Sequence, residues 1–168
     1  MTMNKNMLSP VVFSFHIKKL PEFNFFVQNV TVPGVSFPVI EQPTPFKNVP
    51  RYGDHLVYGE LNVSFKVNED LGNYIEIFNW LTGLSFPDSF DQYKDLAEEG
   101  KQLTGDGLES DSYLMVLSSN MQPIIRIDFE DIFPVSLSDL IMDSRDTQID
   151  YIEATASFRF LKYTFTPV

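Results

Sequence analysis

The chain has 168 residues, a length that defaults to one domain able to close a hydrophobic core without covalent staples. It contains no cysteine, which removes disulfides, thiolate metal sites and thiol nucleophiles together. Its formal net charge of −11 opposes any binding of phosphate backbones by charge attraction. With 16 Phe and 7 Tyr, residues that favour strands, the expectation is a β-dominated fold.

No run approaches the roughly 18 uninterrupted apolar residues of a membrane span. The stretch from Met1 to Pro10 has Lys5 but no apolar segment behind it, so the expectation is a soluble protein that stays in the cytosol where it is made. Charge is unevenly placed. Residues 1–53 carry five Lys and Arg against Glu22 and Glu41, a net of +3, whereas residues 54–168 carry seven against 21, a net of −14. Scatter over solvated faces accounts for such a split. Head-to-tail association of a mildly basic surface with an acidic one on the next copy is the sharper alternative.

In chain order, Val11 to Lys18 alternates, with Phe13, Phe15 and Ile17 on one face, and reads as a half-buried strand. A second strand candidate covers Phe23 to Val32, closed by the turn dipeptide Pro33-Gly34, and Val35 to Ile40 continues as an edge because Pro38 cannot donate to a ladder. Residues 41–54, EQPTPFKNVPRYGD, hold three prolines and no periodicity, which predicts an extended, stiff loop carrying Phe46 and Tyr52 outward or folded back over the core's rim. Leu61, Val63, Phe65 and Val67 then alternate as a strand. Asn68, Glu69 and Asp70 supply first-turn chemistry for a helix in which Tyr74, Ile77, Phe78, Leu81 and Leu84 recur at spacings of three and four.

Asp88 could cap a shorter helix through Leu96, and residues 98–112, polar and rich in Gly and acid, read as a flexible acidic loop. Tyr113 to Ser118 and Pro123 to Phe129 make a hairpin around Ser119-Asn120-Met121-Gln122, and Phe133-Pro134 precedes a short helical turn through Leu140. The last strand, Tyr151 to Phe165, changes phase. Ile152, Ala154, Ala156, Phe158 and Phe160 hold one face, and Leu161, Tyr163 and Phe165 the other. A β-bulge near Phe160 restores a single buried face, and burial of both faces by a neighbouring subunit is the alternative.

Catalytic constellations are lacking. His16 and His55 do not have the i, i+4 helical spacing of a zinc site, no Gly-x-Ser-x-Gly elbow exists, and Gly100-Lys101 lacks a phosphate-loop context. Asp128 and Glu130 share a strand face, as the acid and base of a sheet-borne glycosidase might, but without an aromatic platform beside them. Asp106, Glu109 and Asp111 could approach a calcium ion, although the ligand order of an EF-hand is absent. Neither an enzyme nor a cofactor is expected.

Five segments together resemble the tail-tube protein family of contractile, T4-like bacteriophages: VPGVSFP at 32–38, PTPF at 43–46, YGELNVSFKVNEDLGNYIEIFNWL at 58–81, FEDIFPVSLSDL at 129–140 and YIEATASFRFLKYTF at 151–165. The resemblance implies one domain over 1–168, an antiparallel β-sandwich or barrel with one flanking helix, assembled into stacked hexameric rings. In such a tube one sheet of each subunit joins its neighbours to line a lumen that conducts DNA during ejection. An acidic wall does not trap a polyanion, and ring closure hides strand edges. Strand phase then makes Asp128, Glu130 and Glu153 the lumen candidates. Pro43, Thr44, Pro45, Phe46, Lys47, Arg51 and Tyr52 become the candidates for ring-to-ring contact. The implied partners are further copies of the chain, sheath, and baseplate or neck proteins, with no membrane and no sequence-specific DNA contact, in a virion tail synthesised in the host cytoplasm. Baseplate tube-initiator and tube-capping proteins share the fold, and a related injection-system tube is a further possibility. From a different class, a β-sandwich adhesion or ligand-binding module would bind through loops at one end.

Overall fold

The computed structural model describes residue 8 and residues 11–85, 89–103, 107–143 and 151–168. Among these residues eleven strands, two α-helices and one 3-10 helix follow in order: β1 (Phe13–Ile17), the 3-10 helix (Phe23–Phe26), β2 (Val27–Thr31), β3 (Val35–Ser36), β4 (Val39–Pro43), β5 (Asn48–Tyr52), β6 (Val57–Tyr58), β7 (Leu61–Lys66), α1 (Gly72–Ser85), α2 (Phe90–Leu103), β8 (Ser110–Leu117), β9 (Pro123–Leu137), β10 (Glu153–Arg159) and β11 (Lys162–Pro167). All strand pairings are antiparallel. Among the described residues no helix is long and apolar enough to cross a membrane.

The main sheet runs β1-β8-β9-β10-β7-β2, with β11 also paired to β9. β9 belongs to two halves of this sheet. Its first part pairs with β8 and β11, and its last part with β10. The junction is legible in burial: Ile127 and Phe129 point inward, then Ile132 and Pro134 do, so the alternation slips by one residue. Asp131 lies at the slip with a left-handed φ of 53°. An extra residue of this kind bends a strand and increases its twist. The facing ribbon breaks at the same level, between Arg159 and Lys162, while Leu161 N–H still donates to the Glu130 carbonyl at 2.9 Å.

The core fills the space between the two halves. Leu61, Val63 and Phe65 of β7 are fully buried, as are Ala156 and Phe158 of β10, and Phe15 and Phe129 are nearly so. Burying one such large apolar side chain contributes roughly 1.5–3 kcal/mol. Phe23 anchors the 3-10 helix here, edge-on to Phe65 at 4.8 Å. α1 closes the core with Ile77 and Trp80. The Trp80 indole N–H donates to the Leu108 carbonyl at 2.9 Å, and the Tyr74 hydroxyl to the Ser138 carbonyl at 2.8 Å. α2 packs against α1 at Gly83, where a Cβ would fall 2.8 Å from Leu96 Cδ2.

Several expectations change. The helix expected from Asn68 starts at Gly72, because Asn68 to Leu71 form a turn closed by Leu71 N–H to the Asn68 carbonyl at 3.1 Å, and Asp70 accepts from the Gly72 N–H. Phe78 is 54% exposed, and Trp80 takes the core position instead. Among the described residues two helices flank the sheet where the resemblance implied one, the second being a longer form of the short helix expected through Leu96. α2 runs through Leu103 because its Gln, Lys, Glu and Ala residues are good helix formers as well as polar ones. The expected acidic loop 98–112 is therefore helix at its start and β8 from Ser110, and residues 104–106 and the candidate cap Asp88 lie outside the described residues. No helical turn follows Phe133, since the slip at Asp131 lets β9 continue to Leu137. In place of the bulge expected near Phe160 the strand breaks between β10 and β11, the register irregularity against β9 falls at Ser157/Phe158, and Leu161 and Phe165 remain exposed; the hairpin at 119–122 is present, closed by Ser118 N–H to the Gln122 carbonyl at 2.7 Å.

The fully buried Asn73 ties β7 to α1. Its amide oxygen accepts the Asn68 N–H at 3.2 Å, and its amide nitrogen donates to the Lys66 carbonyl at 2.8 Å. Asn73→Ala leaves both backbone groups without these partners and is expected to cost about 1–3 kcal/mol. Urea denaturation checks this, and an unchanged midpoint contradicts the assignment.

Candidate functional site

The stretch expected to be a stiff loop over 41–54 is a two-stranded ribbon. β4 pairs with β5 from Val39↔Tyr52 to Pro43↔Asn48, and β3 pairs with β6 below them. Prolines tolerate this arrangement because neither long edge of the ribbon has to continue a sheet. Gly53 fastens the base, donating to the Pro38 carbonyl at 2.8 Å. A Cβ there would fall 2.7 Å from that same oxygen, so only glycine allows the approach. At the tip, Thr44 N–H donates to the Lys47 carbonyl at 3.1 Å, and the Thr44 hydroxyl donates to the same carbonyl.

All seven candidate contact residues therefore sit on one projecting element. Phe46 is 99% exposed at the tip and Tyr52 is 82% exposed. Val39 and Ile40, which the sequence reading placed on an edge without a role, are exposed on the same ribbon. Glu41 accepts from the Asn48 amide at 2.8 Å, and Arg51 donates to Gln42 at 3.2 Å, so its polar groups pair across the ribbon. An isolated two-stranded ribbon is marginal in water. One that exposes Phe, Tyr, Val and Ile together gains stability from a surface to lie against.

The three carboxylates assigned to a lumen do not form one cluster. Asp128 and Glu130 point outward from the first part of β9, whereas Glu153 begins β10 opposite Lys66. Nor is their surroundings' charge simply acidic. Asp128 pairs with Arg126 and accepts from Thr166 at 3.2 Å, and Glu130 pairs with Lys162 at 3.1 Å from the directly opposed strand position. Arg126 also stands over the Tyr113 ring, which His16 stacks against at 5.0 Å. The spacing of Arg126 two residues before Asp128 signalled the first pair, but the second needed the β9–β11 register. Exposed pairs of this kind add at most about 1 kcal/mol each, and what they change is the potential of the face. These contacts also leave the glycosidase idea without support: each carboxylate is occupied by a cation.

The outward face of β7 and β10 is a ladder of small polar groups. Ser64 and Thr155 hydroxyls lie 3.1 Å apart, Ser157 donates to Asn62 at 2.7 Å, and Arg159 donates to Glu60 at 3.2 and 3.3 Å. It needs no apolar cover. Of the calcium candidates, Asp111 pairs with Lys18 at 2.6 Å, and Asp106 lies outside the described residues. Among those residues no group of three or more His, Cys, Asp or Glu could hold a metal ion. His16 is accounted for by its ring contact and a 2.7 Å hydrogen bond with Ser14.

A cavity of about 410 Å³ of mixed polar and apolar lining between α1, α2 and the Lys19–Pro21 connection contains Glu76. Burial, and next the neighbouring Glu22 charge, push its carboxyl above the ordinary glutamate value, while the backbone N–H groups of Phe23 and Glu22 pull it down. A raised folded-state value means that protonated Glu76 suits the fold. Stability from this group is thus lost as pH rises from the unfolded glutamate value through the folded one. Glu76→Gln is expected to remove that loss, so its advantage over the natural chain grows above about pH 4.5. Parallel melting curves from pH 4 to 7 check this, and a pH-independent difference contradicts it.

No family model matches the sequence, and no curated protein matches it. Solved structures do match in shape. A chain of the cryo-EM structure of the anti-feeding prophage (AFP) baseplate, 6-fold symmetrised, superposes with a TM-score of 0.64 at 12% identity, covering 98% of this chain and 97% of that one. A chain of the anti-feeding prophage cap structure (AFP tube terminating cap) gives 0.64 at 10% identity, covering 100% and 96%. A chain of the PVC sheath-tube complex of an extracellular contractile injection system in the extended state gives 0.59 at 12% identity, covering 98% and 94%. End to end, this chain has the fold found in these tube, cap and baseplate assemblies, which is the fold that its resemblance to tail-tube proteins implied.

Proposed function

We propose that this chain is a structural subunit of the tail tube of a contractile phage-type particle, stacked as hexameric rings around a channel that conducts DNA during ejection. The observation that carries this reading is the projecting ribbon β4–β5. It lies outside the buried core, exposes Phe46 and Tyr52, and has the form of an element built to lie on another molecule. End-to-end likeness in fold to chains of tube, cap and baseplate structures supports it. Pro43, Thr44, Pro45, Phe46, Lys47, Arg51 and Tyr52 then make the ring-to-ring contact. Sheath and baseplate or neck proteins are the remaining partners, and the virion tail is the location.

Asp128, Glu130 and Glu153 line the channel in this reading, through the outward sheet faces. Because Arg126 accompanies Asp128 and Lys162 accompanies Glu130, the wall is polar rather than uniformly acidic, and a polyanion passes because nothing holds it. Glu130→Lys would set two lysines on opposed strand positions, repeated around each ring. It is expected to slow or block DNA ejection from particles that still assemble, and unchanged ejection kinetics would remove Glu130 from the channel.

The equal TM-scores to the baseplate and cap chains favour one second reading, a tube initiator or cap of the same fold. Electron microscopy of the purified protein at rising concentration separates these readings. Stacked, open-ended hollow tubes are expected for the repeating subunit and single rings for a cap or initiator, whereas a monomer at every concentration contradicts both.

A further inference from the structure

Where β9 continues past the last β8 pairing at Ile132, a hollow of about 490 Å³ opens among Leu81, Leu84, Leu108, Phe133, Pro134 and Val135. Val135 is the residue left over where the β9–β10 register shifts, and it is 43% exposed. Among the described residues Glu109 is the one charged lining group. α1 ends at Ser85 on the rim with no basic residue in its last turn, so the partial negative charge of its C-terminus is not offset from within the helix. The hollow is therefore apolar inside and negative at its mouth.

The ribbon tip has the opposite character. Phe46 stands free between Pro45 and Lys47, and within its own chain it touches almost nothing. A second apolar hollow, beside Phe26, Leu71, Met142 and Tyr151, is lined by both Lys66 and Glu69, with the Lys66 ammonium over the Tyr151 ring, and so offers an approaching lysine no net negative charge. We infer that the ribbon tip of one copy docks in the Leu84–Phe133–Val135 hollow of a second copy, with Phe46 as the buried anchor and Lys47 against Glu109 and the end of α1. This rests on the tube-subunit reading and names its receiving surface. The contact joins two different patches, so it propagates from copy to copy rather than closing as a pair. It also gives a place to the sequence's division into a net +3 segment through residue 53 and a net −14 remainder.

The absence of cysteine allows a direct test by disulfide trapping. Pro45→Cys protein, which keeps the Phe46 anchor, is mixed with a mass-tagged Val135→Cys protein, or with tagged Met142→Cys protein as the competing hollow, and oxidised while light scattering follows assembly. Both receiving positions are exposed, so the substitutions leave the core intact. The expected result is a tip-to-hollow cross-link with Val135→Cys several-fold above that with Met142→Cys. Lys47→Glu should weaken it several-fold, and Glu109→Lys in the receiving copy should restore it. Assembly with the cross-link at Met142→Cys, or at neither position, overturns the docking site and leaves the tube reading standing. Failure of the chain to assemble at all, without cross-links, overturns both.

Discussion

The slip in β9 at Asp131 is the constraint on which the rest of the structure depends. Without it, Ile127 and Phe129 would place Asp131 and Phe133 on the buried face, and the strand could not leave the β8–β11 half and enter the β10–β7–β2 half with apolar residues still inward. A left-handed aspartate is a tolerable choice there, since Asp adopts positive φ more readily than branched residues do. The matching break between β10 and β11 lets the opposing ribbon turn the same corner. Both halves then face one core, which α1 closes with Ile77 and Trp80.

That geometry decides where apolar surface is left over. The outward sheet faces are satisfied by cross-strand pairs of hydroxyls, amides and ions, so nothing there needs covering. Exposed apolar groups are found at several places on the described surface, and the ribbon and the hollow where β8 stops and β9 goes on are two of them. The first is a protrusion and the second a recess. A domain with this distribution has completed its own core and still carries both halves of a contact. Among the described residues β4 and β5 pair only with each other, and a free strand edge is the feature that makes ordered association preferable to uncontrolled aggregation.

Much of the fold was legible because its elements are periodic. Leu61, Val63 and Phe65 are buried as their alternation required, and the phase change in the last strand marked the corner between β10 and β11. What escaped the sequence was decided by long-range partners. Trp80 rather than Phe78 faces inward because the indole reaches the Leu108 carbonyl, and Asp131 sits in a stretch that reads equally well as a turn. The ribbon was read as a loop since three prolines conceal alternation, and pairing of Val39 with Tyr52 appears only when both segments are aligned. For the candidate site, Phe46 and Tyr52 were identifiable as exposed aromatics on a proline-stiffened segment. The cations beside Asp128 and Glu130 were not fully so, because Lys162 meets Glu130 across 32 positions of chain and only through register.

Ordering the ribbon costs conformational entropy of about 1–2 kcal/mol per residue, and its cross-strand hydrogen bonds alone offset little of that. Contact with another copy would stabilise it by mass action. Hydrogen–deuterium exchange across residues 39–52, measured from dilute to concentrated protein, tests this dependence most directly. The account predicts rapid amide exchange in the dilute monomer and strong protection once the chain assembles, with the β7 and β10 amides slow throughout. A ribbon equally protected in the monomer, or still unprotected in the assembled state, would contradict it.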